Sequence, residues 1–396
     1  MPHGDRVDCI LVGGGLANSL IALALHDARP ELKLLILERG DRIGGNHTWS
    51  FHTPDTNAAT YRLLQPLIIK SWSSQEVRFP GNHRILGTGY NSVSSARLHD
   101  VMTARLGSSL RFNAEVTSVA RDGVELADGT YFEAPCVIDS RGIANSSAWE
   151  LGFQKFLGLE IELEEPCGQD RPIIMDGTIP QVDGYRFMYT LPLSERVLLI
   201  EDTYYSNGND VQHGVLEKEV ADYAADRGWK IARILRRETG ILPIVLAGDI
   251  EALWRTNPNP DVPCAGLRAV LFNPTTGYSL PDAARVALKL AGVRDLRSAP
   301  VATLLREHSI ALWHQRAFYR LLNRLLFIAA EPEERLAVMN RFYKMPESLI
   351  RRFYASEVNF ADKTRLLVGK PPINFFRAMG VVVERFDTGQ DRASQE

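Results

Sequence analysis

A glycine-rich turn and one glutamate near the start of the chain have the spacing of a site that holds a nucleotide. Glycines occupy positions 13–15 after the apolar run 7–12, and Glu38 follows a second apolar run at 34–37. Glycines in such a turn let the backbone approach a pyrophosphate, which the N–H groups at the start of the next helix bind. An acidic residue after the second strand accepts hydrogen bonds from the adenosine ribose and repels a 2′-phosphate. The pattern therefore predicts FAD or NAD rather than NADP.

The segment after Glu38 narrows this prediction to FAD. An R-x-G-G run at 42–45 is typical of flavoproteins when it follows that acidic residue. The third glycine of the usual G-x-G-x-x-G pattern is missing, because position 18 is Asn. The alternative is an ordinary β-α-β unit with a glycine-rich turn. The register of strand, helix, second strand, Glu38 and R-x-G-G favours the flavin nucleotide.

A second loop carries residues expected around the flavin ring. Residues 273–284 read N-P-T-T-G-Y-S-L-P-D-A-A and open a helix. The N–H groups and the dipole of a helix N-terminus stabilise the negative charge of a reduced flavin. The alternative is a proline-punctuated loop that only caps the helix. With the run 139–142, these segments give the predicted FAD contacts: Gly13, Gly15, Leu16, Ala17, Glu38, Arg39, Gly44, Gly45, Asp139, Arg141, Gly142, Pro274, Thr276, Gly277 and Tyr278.

A predicted strand at 197–203 carries two adjacent carboxylates. Because side chains alternate along a strand, Glu201 and Thr203 face one side and Asp202 faces the other. The two carboxylates are therefore not expected to share a site. The alternative for Glu201 is a strand-end carboxylate that faces water or pairs with an arginine.

The composition limits the classes of protein to consider. The 396 residues are 45% hydrophobic and 23% charged with a net charge of −3, which is typical of a soluble globular protein. No basic, aromatic-rich patch indicates nucleic acid. The four cysteines lack metal-ligand spacing, so we predict neither a metal site nor a disulfide. No signal peptide fits before the first strand, and no apolar run approaches the roughly 20 residues of a membrane span.

The order of the predicted elements indicates an α/β fold in several parts. The first β-α-β unit is followed by a helix, a β-meander and another strand, as in a flavin-binding domain. The run 267–272 is predicted as a strand that leads into the second loop. The predicted division is an FAD-binding domain at 1–150 and 262–295, a β-rich substrate domain at 151–261, a helical C-terminal part at 296–385 that completes a substrate tunnel, and a frayed tail at 386–396.

Longer motifs spread over residues 7–380 are more specific than the glycine turn. They include GGNHTWSFH, LIEDTYYS, PTTGYSLP, FYRLLNRLLF and RRFYASEVNFADKTRLLVGKPP. In content and order, these motifs resemble those of the bacterial lycopene β-cyclase family. The family's pattern often has His where this chain has Asn273, and Gly where it has Ser140 and Val270.

The resemblance implies a Rossmann-type FAD-binding domain of the flavoprotein hydroxylase and geranylgeranyl reductase kind, an inserted antiparallel β-sheet substrate domain and a helical C-terminal part. It also implies cyclisation of the ψ-ends of lycopene to β-ionone rings, through γ-carotene to β-carotene. Reduced FAD is required, with NAD(P)H as reductant, yet there is no net redox change. The alternatives are a redox flavoenzyme of the same fold (a monooxygenase or a prenyl reductase) and a non-catalytic carotenoid-binding protein.

The family motif gives Glu201 the role of acid and base, with Asp202 as a second catalytic candidate. Protonation of an alkene needs a strong acid in a dry cavity, and burial among apolar side chains keeps a carboxyl protonated near neutral pH. His47, Trp49 and Phe51 are predicted to wall the substrate tunnel. The alternative for Trp49 and Phe51 is a place in the hydrophobic core.

Lycopene is an insoluble hydrocarbon, so the resemblance also implies contact with a membrane. Residues 306–352 interleave basic and apolar side chains, and Arg316, Arg320 and Arg324 are predicted to face lipid headgroups. The alternative is a helix that covers the core and has a solvated basic face. The expected location is cytoplasmic, at the inner face of the cell membrane, and association with other carotenoid enzymes is a further expectation.

Overall fold

The computed structural model describes residues 6–143, 148–368 and 375–381. Its strands are β1 (Cys9–Val12), β2 (Leu34–Leu37), β3 (Thr48–His52), β4 (Ile68–Trp72), β5 (Gln75–Phe79), β6 (Asn82–Leu86), β7 (Tyr90–Ser94), β8 (Leu110–Arg111), β9 (Val116–Ala120), β10 (Gly123–Leu126), β11 (Tyr131–Glu133), β12 (Cys136–Asp139), β13 (Trp149–Leu163), β14 (Ile173–Asp176), β15 (Tyr185–Pro192), β16 (Val197–Ser206) and β17 (Ile231–Gly248). Its helices are α1 (Leu16–Ala28), α2 (Ala58–Leu64), α3 (Ser95–Leu106), α4 (His213–Asp226), α5 (Ile250–Arg255), α6 (Leu280–Ala291), α7 (Ser298–Gln315), α8 (Ala317–Arg324), α9 (Arg335–Phe342), α10 (Glu347–Tyr354), α11 (Phe360–Leu367) and α12 (Phe375–Gly380).

A parallel sheet carries the glycine turn at the carboxyl end of β1. Its order is β12-β1-β2-β8, and every residue of β1 is buried. Helix α1 begins at Leu16, directly after the turn, and packs against α6. The antiparallel β-meander β11-β10-β9 lies between β8 and β12 in the chain. The strand, turn, helix and second strand predicted from the sequence are therefore confirmed, with Glu38 directly after β2.

Asn18 takes the position of the missing third glycine and holds the turn through its side chain. Its Nδ2 donates hydrogen bonds to the carbonyls of Val12 (2.9 Å) and Gly13 (3.0 Å). Its Oδ1 accepts a hydrogen bond from Ser140 Oγ at 2.8 Å. Asn18 is fully buried, so its amide joins the end of β1 to the segment after β12. The departures at positions 18 and 140 thus belong to one hydrogen-bonded group.

The large sheet has the order β17-β13-β16-β15-β14-β5-β6 and is antiparallel except where β14 pairs with β5. One face, which includes Leu157 and Ile200, packs against α4. Strands β5 and β6 come from residues 75–86, so this sheet extends beyond the range 151–261 assigned to it from the sequence. The division into domains remains a prediction.

Three arginines predicted to face a membrane are buried instead. Arg316 makes two hydrogen bonds to Asp282 (2.6 and 2.9 Å), and Arg320 donates to the carbonyl of Trp313 at 2.6 Å. Arg324 Nη1 donates to the carbonyl of Leu246 at 2.9 Å. The prediction that these three side chains face lipid is wrong, because their guanidinium groups donate hydrogen bonds to buried acceptors in the core. Within the described ranges, no helix is long and apolar enough to cross a membrane.

The strand predicted at 267–272 is also wrong. Gly266–Ala269 form a short 3-10 turn, and Val270 follows with φ of 57°, in the left-handed region. A Cβ at Gly266 would lie 2.9 Å from Cβ of Ala17, so glycine lets this turn approach α1 closely. A short apolar run does not distinguish a buried strand from a buried turn. The left-handed conformation of Val270 is one that glycine adopts without strain.

We expect Arg316→Gln to lower the free energy of unfolding by about 2 kcal/mol, because the buried Asp282 would lose the arginine that binds both of its oxygens and keep only Arg285. Urea denaturation followed by circular dichroism measures the change. Arg297→Gln is the matched control, because Arg297 is 73% exposed beside Asp295 and its loss should leave the unfolding curve unchanged. Equal curves for the two variants would contradict the structural role of Arg316.

Candidate active site

A cavity of about 710 Å³ lies between the glycine turn and the large sheet. The part near α1 includes several glycines and charged side chains, and the part near the large sheet is lined mostly by aromatic and aliphatic side chains. The sequence-predicted residues that line it are Gly13, Gly15, Leu16, Ala17, Glu38, Arg39, Gly44, Gly45, His47, Trp49, Arg141, Gly142, Glu201, Thr276, Gly277 and Tyr278. The sequence therefore anticipated residues from both sides of one cavity.

The glycine end of the cavity has the chemistry of a dinucleotide site. Gly15 precedes α1 and no side chain caps the helix, so the first N–H groups of α1 are available to an anion. A Cβ at Gly15 would meet nothing within 4 Å, which leaves space beside the turn. Glu38 accepts hydrogen bonds from the N–H groups of Gly14 and Gly40, both at 2.8 Å. These contacts hold its carboxylate beside the turn, so the residues present fit a dinucleotide.

Asp139 and Pro274 support the cavity wall from behind and do not line it. Asp139 accepts hydrogen bonds from Nε (3.0 Å) and Nη2 (2.9 Å) of Arg141, whose side chain does line the cavity. The carbonyl of Pro274 accepts a hydrogen bond from Asn323 at 2.8 Å. Asn273 closes the same loop, because its Oδ1 accepts from the N–H of Thr276 at 3.1 Å. Asn273 therefore has a structural role in the loop where the family's pattern often has His.

An aromatic wall closes the cavity on the large-sheet side. It consists of Phe156, Phe187, Tyr189, Tyr205, Tyr278 and Tyr354. The hydroxyl of Tyr189 donates to Ser50 Oγ at 2.9 Å, and the hydroxyl of Tyr90 lies 3.1 Å from those of both Tyr189 and Tyr278. Burial raises the pKa of Tyr90, Tyr189 and Tyr278 well above the usual range. The phenols therefore stay neutral, and the wall offers ring faces that attract cations.

Glu201 points from β16 into this aromatic part of the cavity. Burial raises the pKa of its carboxyl well above the usual range, and the nearby Glu238 carboxyl adds to the rise, while Arg236 opposes it. A raised pKa favours the protonated form of a carboxyl group. Glu201 therefore lines the cavity in surroundings that favour its acid form.

Glu238 was not among the sequence-predicted residues. It is buried on β17, where its Oε2 accepts hydrogen bonds from Arg236 and, at 2.9 Å, from Thr48 Oγ1. Its pairing with β13 puts it across Gly158 from Glu201. The run R-R-E-T-G at 236–240 is continuously polar and gives no sign of which side chain is buried, and the register of β17 against β13 is a property of the folded sheet.

The comparisons with known proteins agree with this geometry. A model of the family described as lycopene cyclase protein matches residues 8–379. The chain belongs to the lycopene cyclase family. It is 46% identical to a lycopene beta-cyclase of Pseudescherichia vulneris, over 97% of this chain and 99% of that protein. It is 43% identical to a lycopene beta-cyclase of Pantoea ananas, over 96% of this chain and 98% of that protein.

Solved structures with a similar fold come from other kinds of protein. PqsL, a probable FAD-dependent monooxygenase from Pseudomonas aeruginosa, matches with a TM-score of 0.55 and 15% identity, over 84% of this chain and 99% of that chain. A geranylgeranyl bacteriochlorophyll reductase-like protein from Thermoplasma acidophilum matches with a TM-score of 0.54 and 13% identity, over 98% of this chain and 99% of that chain. At such identities the likeness concerns the fold alone. The predicted fold class is confirmed.

Two of the predicted site residues lie away from the cavity. Asp202 faces the opposite side of β16, where Arg186 binds both carboxylate oxygens at 2.8 and 2.9 Å. This follows from the alternation of side chains along the strand, so the position of Asp202 does not support a catalytic role. Phe51 is completely buried in the core with Leu64 and Val93, and it does not wall the cavity. Its neighbours in sequence, His47 and Trp49, do line the cavity.

We expect the free energy of unfolding to fall with rising pH more steeply in the parent chain than in Glu201→Gln. The pKa of Glu201 in the folded state is raised above its ordinary value of 4.5. The folded state therefore keeps a proton that the unfolded state releases. The stabilisation is complete below that ordinary value and is lost as the pH rises through the folded-state pKa.

Urea denaturation at several pH values between about 5 and about 9 measures this difference. Glu165→Gln is the control, because the side chain of Glu165 is 84% exposed. Its curve should follow that of the parent. A curve for Glu201→Gln that is also parallel to the parent's would contradict a protonated Glu201.

Proposed function

We propose that this chain is a lycopene β-cyclase, which converts the ψ-ends of lycopene to β-ionone rings through γ-carotene to β-carotene. The observation that carries the proposal is the Glu201 carboxyl, which lines a cavity with an aromatic wall next to the glycine turn. The cavity suits an apolar polyene, because ring faces and aliphatic side chains form most of its large-sheet side. Membership of the lycopene cyclase family supports the same substrate class.

In this proposal Glu201 acts as both acid and base. Its carboxyl gives a proton to the terminal alkene, and the resulting tertiary cation is attacked by the neighbouring double bond. The Glu201 carboxylate then takes a proton from the new ring. The aromatic wall excludes water, which would otherwise capture the cation, and its ring faces attract the positive charge. No electron is transferred to the substrate in this sequence.

We further propose FAD as the resident cofactor, kept reduced by NAD(P)H. Gly13, Gly15 and the start of α1 would hold its diphosphate, Glu38 its ribose, and Thr276, Gly277 and Tyr278 its ring. When bound in its reduced form, FAD supplies negative charge beside the cavity. The fold of FAD-dependent monooxygenases and reductase-like proteins is consistent with this cofactor.

We expect the parent chain, expressed in a lycopene-accumulating bacterial host, to form cyclic carotenes, and Glu201→Gln to lose about a hundredfold or more of this activity. The reason is that an amide cannot supply the proton. Pigment chromatography measures the products, and flavin absorbance measures FAD content. Asp202→Asn is the matched control, because it changes the adjacent carboxylate that faces away from the cavity. It should keep cyclisation in the folded fraction.

Full cyclisation by Glu201→Gln would contradict the assignment of the acid. Consumption of one NAD(P)H and one O2 for each product would favour a monooxygenase instead. Consumption of reductant alone, with a saturated product, would favour a prenyl reductase.

We also propose that the protein binds the inner face of the cell membrane peripherally, where lycopene is dissolved. With the three arginines buried, the better candidate for the contact is α11. Phe360, Lys363 and Leu367 share one face of that helix by their spacing, and Phe360 is 85% exposed. An apolar face with a cation suits an anionic lipid surface. Association with other carotenoid enzymes remains a further proposal.

We expect the double change Phe360→Ser and Leu367→Ser to weaken binding to anionic phospholipid vesicles by about tenfold or more, because two apolar side chains would no longer enter the lipid. Vesicle flotation measures the bound fraction. Val215→Ser is the control, because Val215 is an exposed apolar residue on α4 at the outer face of the large sheet. If the double variant floats with vesicles as the parent does, the membrane contact is not on α11.

A further inference from the structure

Gly158 brings two glutamates together in the middle of the large sheet. It lies on β13, where its partner on β16 is Glu201 and its partner on β17 is Glu238. Strands two places apart in a sheet are about 10 Å apart, so facing side chains meet only above a small residue. A Cβ at Gly158 would lie 2.7 Å from Cγ of Glu201 and 3.1 Å from Cγ of Glu238. Both carboxyl groups therefore lean over the glycine.

The two glutamates have different surroundings. Oε2 of Glu238 accepts hydrogen bonds from Arg236 and Thr48, and Arg236 also donates to Thr48 Oγ1 at 2.8 Å. Charge-assisted bonds of this kind favour the ionised carboxylate. Glu201, by contrast, faces the aromatic cavity. One member of the pair is therefore held by an arginine and a hydroxyl donor, while the other faces the site where a substrate would bind.

The second carboxylate oxygen of Glu238, Oε1, indicates which of the two carboxyl groups carries a proton. Among the described residues, Oε1 of Glu238 is buried and has no ordinary hydrogen-bond donor. The Glu201 carboxyl leans over Gly158 from the opposite side. Two ionised carboxylates on the two sides of one glycine repel each other, and neither has a hydrogen to donate to the other. A single proton on Glu201 satisfies the orphaned oxygen and removes the repulsion between the two groups.

We propose that Glu238 is a positioning residue, which keeps the one proton of a two-carboxyl pair on Glu201 at the cavity wall. The inference deepens the proposed function and rests on it for the fate of that proton. When the O–H bond of Glu201 breaks and a C–H bond forms at the alkene, the Glu201 carboxylate faces the cation, and Glu238 lies behind it across Gly158. A ring C–H bond then breaks, its electron pair becomes the ring double bond, and the proton returns to Glu201. The step is balanced without an oxidant or a reductant.

Other charged and titratable groups also face the pair. Arg236 on β17 favours ionisation of Glu201, and Glu160 on β13 accepts a hydrogen bond from Arg236 Nε at 3.0 Å. His47, before β3, interacts with both Glu238 and Arg236. Tyr189 on β15 faces Glu201 and stays neutral, because burial raises its pKa. Removing the charge of Glu238 alone leaves Arg236 to draw the proton off Glu201 at a lower pH.

The test compares Glu238→Gln with the parent protein, as the FAD-loaded full chain, in two measurements made against pH. The first is the alkaline limb of kcat for lycopene cyclisation, which should move to lower pH by about one unit or more. The second is the infrared C=O band of a protonated carboxyl, followed against pH without substrate. This band should be absent in Glu201→Gln and should titrate at lower pH in Glu238→Gln. A purely structural role for Glu238 would lower activity without moving either titration.

Glu160→Gln is the matched control, because it also removes a carboxylate bound to Arg236 but does not lie opposite Glu201. Its two titrations should follow those of the parent. Gly158→Ala is a second variant, which retains both carboxyls and separates them with a methyl group. It should move the infrared titration in the same direction as Glu238→Gln.

If both titrations of Glu238→Gln coincide with those of the parent, Glu238 does not keep the proton on Glu201 and the proposal is wrong. A shifted infrared titration in a protein that forms no cyclic product would instead support the pair and count against the proposed function. The two failures are thus distinguishable.

Discussion

A carboxyl group that faces an apolar cavity has to keep a proton or find a partner for its charge, and the arrangement around Glu201 follows from this constraint. Aromatic side chains line the cavity beside Glu201, and Glu238 lies on the far side of Gly158. Arg236 and Thr48 donate hydrogen bonds to Oε2 of Glu238. In the proposed pair the proton stays on Glu201, the carboxyl group that a substrate can reach.

The same constraint explains why the site spans two sheets. The parallel sheet provides a backbone turn and a helix N-terminus, which suit a dinucleotide but offer no dry acid. The large sheet provides an acid and a ring-lined wall, and Tyr278 and the loop before α6 join the two sides. A fold shared with a probable FAD-dependent monooxygenase and a reductase-like protein thus carries two carboxyl groups that meet over one glycine. The nucleotide site that opens the sequence would serve as a source of fixed charge for this acid.

Local patterns carried most of what the sequence could predict. The glycine turn, Glu38 and the opposite faces of Glu201 and Asp202 all follow from spacing within one or two neighbouring elements. Glu238 could not be found in this way, because its meeting with Glu201 depends on the register of β17 and β16 against β13. Arg316 was misinterpreted because a basic helical stripe looks the same in sequence whether it faces lipid or a buried carboxylate such as Asp282. In both cases the deciding partner is distant along the chain.

The most direct measurement of the central claim is the position of the proton itself. Neutron diffraction from a crystal exchanged into D2O at neutral pH would locate deuterium on the two carboxyl groups. The account predicts one deuteron, carried by Glu201 and directed at Oε1 of Glu238, with Oε2 of Glu238 accepting from Arg236 and Thr48. Two bare carboxylates, or a deuteron on Glu238 with Glu201 ionised, would contradict it.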